Sequence, residues 1–286
     1  MNAPRLAPVP AGVARPRWSI MIPCCDPDPD LLRDTIESVL RSGLDRSRAE
    51  IVLVDDGTEA SRFAGAASIA ETHLLRVVRN PARTGLVRNW NRCVEEARGE
   101  LVHLLHQDDR ILPGFYEAME RAFDAQPDIG AAFCRVGFID RDGNHRRAGH
   151  MPDREPGVLK DWIEHFMVNL VVQCPCIVVA RRVYETIGLY RDRYDYCTDY
   201  DMWQRVGAAF PVWYDPRLLA EYREHAASAT NRLFRLGFRW AERRTCLRDN
   251  VSALPSPVRE TAYRSARHYQ AHLAATEGRI QWHARP

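Results

Sequence analysis

Two stretches of this chain place adjacent carboxylates where an apolar run stops. In Leu101–Pro113 the run ends in His106, Gln107, Asp108 and Asp109, and in Ile51–Val54 it ends in Asp55, Asp56 and Gly57. A short apolar run bounded by polar residues fits a strand buried on both faces. Its C-terminal tip is where open α/β sheets bind ligands. Neighbouring carboxylates repel unless something cationic lies beside them, and a hard divalent metal shared with phosphate oxygens meets that need. The simpler readings are structural. Asp109 would cap a helix beginning near Pro113, and Asp56 would be a turn residue before Gly57.

Strands and helices must alternate to bring such tips together, and the pattern supplies that alternation. Trp18–Ile22 is a short apolar strand that stops at Pro23. Asp28-Pro29 signals a helix start. The pairs Leu31/Leu32, Thr35/Ile36 and Val39/Leu40 then draw one buried face, with Gly43 as the stop. After the strand Ile51–Val54, a helix is expected over Glu59–Glu71 and a strand over Leu74–Val78. Gly85 opens a helix whose Val87, Trp90, Val94 and Ala97 face inward. Strand Leu101–Leu105 follows, then a helix from Pro113 to about Ala125. Next come a strand at Ala131–Ile139, a tight turn at Asp142-Gly143 and a helical stretch at Lys160–Val168. Ile177–Ala180 is a strand and Arg181–Ile187 a helix. A further helix starts at Thr198 or Asp199, and two short strands, Val212–Tyr214 and Leu218–Tyr222, precede Arg223-Glu224-His225. The implied fold is α/β, with a mostly parallel central sheet and helices on both faces.

Composition removes several classes. With 286 residues and 45% hydrophobic content the chain can bury a substantial core. A formal net charge of +2 gives no global field for nucleic acid. No apolar run is long enough to span a membrane, and no signal peptide is visible. Eight cysteines lack framework or Cys-x-x-Cys spacing, so they read as reduced thiols and the chain as cytoplasmic. Residues 1–17, rich in Pro and Ala, are expected to be a mobile arm. From about Arg232 the chain is arginine-rich and helical, with Leu233, Leu236, Trp240, Leu247, Val251 and Leu254 on one apolar face. That tail packs on the domain, meets anionic lipid at the inner face of the membrane, or makes a dimer contact; packing is the reading preferred.

The order of several weak motifs resembles a known family. They are Ser19-Ile-Met-Ile-Pro23, Glu50-Ile-Val-Leu-Val-Asp-Asp-Gly-Thr58, Arg79-Asn80 with Gly85 and Arg88-Asn89, and Ala97-Arg-Gly-Glu100 leading into Asp108-Asp109. Gly188-Leu-Tyr190, Thr198-Asp-Tyr-Asp201 with Arg205, and Tyr222-Arg-Glu-His225 complete the set. Together, from Trp18 to His225, they are similar to inverting glycosyltransferases of family 2 with the GT-A fold. The resemblance implies a glycosyltransferase domain over 18–225, followed by a helical arginine-rich extension over 226–286. It implies transfer of a hexosyl-type sugar from a nucleoside-diphosphate sugar to a hydroxyl of a polysaccharide or glycolipid, including lipid-linked glycans.

By the same resemblance Pro23, Cys25 and Asp56 contact the base, with Cys25 standing where an aromatic residue is often found. Asp55 organises its loop, and Arg88 meets a phosphate or lies on a solvated helix face. The family motif Asp-x-Asp falls on His106, Gln107 and Asp108, so His replaces the first aspartate. Gln107 would bond the ribose. Asp108 would hold Mn²⁺ or Mg²⁺, with His225 completing the site, and Arg223 would pair with phosphate or brace the loop. Asp199 matches the general base that takes the acceptor proton, with Thr198 where Glu is usual. Its structural alternative is a cap on the helix of Met202 and Trp203, and Asp201 is its nearest rival. Direct displacement inverts the anomeric centre and needs no covalent nucleophile. Two other functions fit less well. A sugar-phosphate nucleotidyltransferase would want a glycine- and arginine-rich loop after the first strand, which Pro23-Cys24-Cys25-Asp26 is not. A non-catalytic sugar-nucleotide-binding protein would account for His106.

Overall fold

The computed structural model describes residues 3–168, 172–226, 228 and 239–283. Among them, ten strands form one sheet. They are β1 (Trp18–Cys24), β2 (Ala49–Asp55), β3 (Arg76–Arg79), β4 (Leu101–Leu104), β5 (Arg110–Ile111), β6 (Ala131–Ile139), β7 (His145–Ala148), β8 (Gly157–Val158), β9 (Ile177–Ala180) and β10 (Val212–Arg223). The helices are α1 (Pro29–Arg41), α2 (Ala60–Thr72), α3 (Leu86–Glu96), α4 (Phe115–Ala125), α5 (Arg181–Ile187), α6 (Thr198–Ala209), α7 (Arg239–Val251) and α8 (Ser256–His283).

The strand order β3-β2-β1-β4-β9-β6-β10-β5 has a direct consequence for the site. β1, β2, β3 and β4 are mutually parallel. β9 runs against both β4 and β6, and β10 is parallel to β6. Two reversals restore direction, so β10 points the same way as β4 and their C-terminal ends share one edge of the sheet. Residues far apart in sequence meet there.

Local chemistry explains the elements. Asp28 caps α1 by accepting from the N–H groups of Asp30 (3.0 Å) and Leu31 (3.5 Å), with Pro29 in the first turn. Leu31, Leu32, Thr35, Ile36 and Val39 are buried, as their spacing requires. β1 continues through Pro23 to Cys24. Met21 accepts from Leu105 N–H on the β4 side, and Pro23, two residues on, faces past β4's last pair. Its missing N–H therefore breaks no ladder bond. β3 begins later than expected because Leu74 is taken up in the exit from α2. Leu75 N–H bonds Ala70 C=O and Leu74 N–H bonds Glu71 C=O, with Leu74 at φ 55°. That pair of bonds is a Schellman motif. The two late strands expected around 212–222 are one strand, irregular between Asp215 and Ala220, where Pro216 interrupts the pairing. α4 begins at Phe115, after left-handed Gly114, and the Lys160–Val168 stretch is helical only over Ile163–Val168, as a π-helix.

The N-terminal stretch, expected as a mobile arm, lies instead along the domain. Pro4 C=O accepts from Leu189 N–H at 2.8 Å, Ala7 C=O from Arg181, Pro16 C=O from Glu100 N–H and Arg17 C=O from Leu101 N–H. Leu6 is buried in the main core. Low periodicity hid this, because an extended strap satisfies its backbone on a neighbour's surface and needs no amphipathic repeat.

In the C-terminal extension Leu247, Val251 and Leu254 are buried with Met167, Ala262 and Ala266 in a second, smaller core. Leu233, Leu236 and the Trp240 side chain lie outside the described residues. No helix among the described residues is long and apolar enough to cross a membrane.

Candidate active site

The tips of β1, β2, β4 and β10 converge on one rim, and each is fixed by polar contacts that the next tip supplies. Gly57 turns the β2 tip at φ 67°, where a Cβ would lie 2.5 Å from the Ala82 carbonyl carbon. Only glycine allows the 80–85 loop to come so close. Asp55 is fully buried; its Oδ2 accepts from Thr58 N–H (3.1 Å) and Arg79 Nε (3.0 Å). Asp56 holds the opposite loop. Its Oδ1 accepts from Thr84 N–H, Thr84 Oγ1 and Asn80 Nδ2, and its Oδ2 from Gly85 N–H at 2.9 Å. Burial acts to raise this carboxyl, but the Thr84, Gly85 and Asn80 donors outweigh it and hold it below the ordinary range.

Gln107 ties the β4 tip to the β1 tip. Cys25 N–H donates to Gln107 Oε1 at 3.0 Å, and Gln107 Nε2 reaches back to Cys25 C=O at 3.4 Å. Burial pushes the Cys25 thiol up, with Arg83 opposing. Pro23 is buried, and Arg88 is an exposed residue of α3, 3.9 Å from Asp192.

Asp108 and His225 meet, although 117 residues separate them: Oδ2 and Nε2 are 2.8 Å apart. Arg223, almost wholly buried, makes the junction. Its Nε donates to Asp108 C=O (2.6 Å), its guanidinium also reaches Arg141 C=O (2.7 Å) and Asp34 Oδ2 (2.5 Å), and its backbone N–H donates to Asp109 Oδ1 (2.8 Å). Of the two roles open to Arg223, the brace is what the geometry shows. Asp34, on the exposed-looking side of α1, was not legible as its partner; no sequence signal links positions so distant.

Asp109 points inward. Burial first, then the charge of Asp108, push its carboxyl well above the usual range, and its Oδ2 lies 3.6 Å from His106 Nδ1. The His106 imidazole stacks on Trp90 with ring centres 4.8 Å apart, and burial pushes it toward the neutral form. At this motif position the chain thus carries a wall residue packed against α3.

Asp199 sits in the first turn of α6, its Oδ1 accepting from Tyr200 N–H at 2.7 Å. Burial pushes its carboxyl up to about 6, against the opposing pull of Tyr200 N–H and Arg243. That value suits a proton acceptor working near neutrality. Asp201, its rival, is fully buried and fully engaged, with Arg205 Nε and Arg191 Nη1 each at 3.0 Å. Burial, and after it the charges of Asp199 and Asp109, push the Cys174 thiol up.

The metal question can be put to the donor atoms. Among the described residues no three His, Cys, Asp or Glu side chains gather as a ready cage. The Asp108–His225 pair nonetheless fits. Cis ligands around an octahedral ion at about 2.1 Å stand roughly 3 Å apart, close to the 2.8 Å seen here. One carboxylate and one imidazole leave further positions for water and diphosphate oxygens, and the imidazole favours Mn²⁺ over Mg²⁺.

Comparison with known proteins bears on the family and the fold. Residues 19–188 match the family described as Glycosyl transferase family 2. Uncharacterized protein MT1568 of Mycobacterium tuberculosis (strain CDC 1551 / Oshkosh) is 34% identical over 70% of this chain and 66% of its own length. The O-antigen biosynthesis protein RfbC of Myxococcus xanthus is 25% identical over 76% of this chain but only 16% of its own length. The chain thus spans about two thirds of the first relative and under a fifth of the second. Among solved structures, S. aureus TarS 1–349 in complex with UDP-GlcNAc superposes with a TM-score of 0.72 at 12% identity, over 87% of this chain and 71% of that one. The mannosyltransferase PcManGT of Pyrobaculum calidifontis, in complex with GDP-Man and Mn²⁺, gives 0.62 at 16% identity, over 96% and 82%. Identities this low speak for a shared GT-A fold alone.

Proposed function

Since the chain belongs to glycosyltransferase family 2, we propose that it transfers a sugar from a nucleoside-diphosphate sugar to a hydroxyl acceptor, with inversion and with a divalent metal. The observations that carry the reading are the Asp108–His225 pair, brought together from the β4 and β10 tips, and the burial of Asp199 in the first turn of α6, which raises its carboxyl to about 6. A polysaccharide or lipid-linked glycan is the acceptor class we favour, because a relative is described as an O-antigen biosynthesis protein. The donors to try first are those of the structural neighbours, UDP-GlcNAc and GDP-mannose.

The parts divide the work. The β1 and β2 tips receive the nucleotide. Asp56 Oδ1 is occupied by the 80–85 loop, while Oδ2 carries one N–H and keeps a lone pair for an N–H of the base edge. Cys25 and Pro23 line the same tip. Gln107, already clamped to Cys25, presents the ribose side, and Arg88, held by a loose, exposed pairing with Asp192, would turn toward phosphate from α3. Asp108 and His225 would hold the metal, which when bound supplies Lewis-acid neutralisation of the departing diphosphate. Asp199 takes the acceptor proton as the hydroxyl attacks from the face opposite the leaving group. The bond from sugar to diphosphate breaks as the new glycosidic bond forms.

Thermal unfolding tests the donor half. Binding to the native state raises the melting temperature by mass action, about 2.7 kcal/mol at one hundred times Kd. UDP, GDP, CDP and dTDP would be compared with and without Mn²⁺. We expect one nucleotide to stabilise the chain only with metal, and the metal-dependent part to vanish in Asp108→Asn and His225→Ala. Stabilisation that ignores Mn²⁺, or survives both substitutions, would remove the metal assignment.

A further inference from the structure

Helix α6, which carries Asp199, starts without a side-chain cap of its own, since Cys197 stands at the cap position. The turn that leads into it is held instead from the C-terminal extension. Glu242 of α7 accepts from the backbone N–H of Tyr196 at 2.8 Å and of Cys197 at 3.1 Å through Oε2, and Asp195 N–H lies 3.4 Å from Oε1. A carboxylate there holds the backbone N–H groups of the turn that leads into α6, up to its cap residue Cys197, and complements the helix dipole.

The rest of that face of α7 continues the contact. Positions 242, 246, 249 and 250 follow helical spacing. Cys246 is buried among Tyr194, Cys197 and Tyr200. Asp249 accepts from the Tyr194 hydroxyl at 2.8 Å and pairs with Arg193 at 3.0 Å. Asn250 donates to Asp201 Oδ1 at 3.0 Å and Gln204 Oε1 at 2.9 Å. α7 therefore bonds residues on both sides of Asp199. Its apolar side, Leu247 and Val251, does different work, packing against Met167, Ala262 and Ala266. A helix kept only for stability needs that apolar side alone. The polar side costs desolvation of two carboxylates and an amide, and what it fixes is the turn at 193–201. The family match ends at residue 188, before this turn.

We propose that α7 is the positioning element for the general base, with Glu242 as the residue that fixes the turn from which Asp199 projects. The inference rests on Asp199 being the base. A base must lie within hydrogen-bond reach of the acceptor, and a misplacement of about 1 Å costs on the order of 100-fold in rate.

The test compares Glu242→Ala and Glu242→Gln in the full chain, with Asp199→Asn as reference. Gln keeps an acceptor oxygen and Ala does not. Amide hydrogen exchange over 194–200 should quicken at least about tenfold in the Ala variant and stay near the parent rate in the Gln variant. Release of nucleoside diphosphate from UDP-GlcNAc or GDP-mannose, with water as acceptor, should fall about 10- to 100-fold in kcat for Ala, with donor KM and the Mn²⁺-dependent thermal shift by UDP or GDP unchanged. The Gln variant should keep most of its turnover. Unchanged exchange in Glu242→Ala overturns the proposal, as does faster exchange with undiminished kcat, or a loss that takes nucleotide binding with it. Full turnover by Asp199→Asn would strike the base assignment itself, a failure visible without reference to Glu242.

Discussion

At the scale of single residues, Asp199 shows how one carboxylate is set apart from its neighbours. Asp201, two positions on, is buried deeper yet carries two arginine partners, whereas Asp199 has one backbone donor and the more distant Arg243. Burial without a close cation leaves it titrating at about 6. The folded state then binds its proton more tightly than the unfolded chain, whose Asp titrates near 3.9. Stability contributed by this group is present below pH 4 and is lost as pH rises through about 6. With Asp199 as the proposed base, turnover should run the other way, rising over the same window as the carboxylate ionises. Asp199→Asn should therefore abolish transfer and yet raise stability at pH 8, by on the order of 2–3 kcal/mol, with the difference gone at pH 4. Urea unfolding at the two pH values measures this. No gain at pH 8 would mean that the ionised carboxylate is not held in a desolvated place.

At the scale of elements, boundaries were set by how each helix ends. α2 closes with a Schellman motif whose left-handed position is Leu74, 84% exposed and at φ 55°. Leucine gains little from burial there and bears the steric cost of the left-handed region, roughly 1–2 kcal/mol. Leu74→Gly should stabilise the chain by about 0.5–1 kcal/mol once glycine's own entropy is counted, read as a higher denaturant midpoint with unchanged slope. A loss of stability would show that Leu74 makes a contact worth more than its strain. The same reasoning explains why a strand was expected from Leu74. The residue is apolar and precedes an apolar pair, so periodicity assigns it to β3, while the backbone spends it on ending α2. Exact matches fell where burial and capping agree: Ala131–Ile139, Ile177–Ala180 and Arg181–Ile187 stand as their patterns indicate.

At the scale of the whole molecule, the described parts of the N-terminal arm and of the C-terminal extension both pack on the sheet domain. The arm hydrogen-bonds to the start of β4 and to the turn after α5, where Gly188, at φ 82°, could not carry a side chain within 2.7 Å of Pro4 C=O. Leu6 is the arm's buried anchor at 8% exposure. Leu6→Ala should cost about 2 kcal/mol, measurable as a lower melting temperature; a value near zero would return the arm to the loose strap its composition suggests. What the sequence by itself determined was the alternation of elements, the acidic strand tips and the family, because these rest on local propensity, hydrophobic period and short motifs in fixed order. Tertiary structure decided the rest. Only the double reversal through β9 brings His225 to Asp108. Only packing separates Asp108, which faces the rim, from Asp109, which turns inward to Arg223 N–H, and only the docking of α7 gives the turn before α6 its acceptor, Glu242. Those outcomes depend on which groups from distant segments arrive to satisfy a buried donor or charge, and a linear pattern holds no record of who arrives.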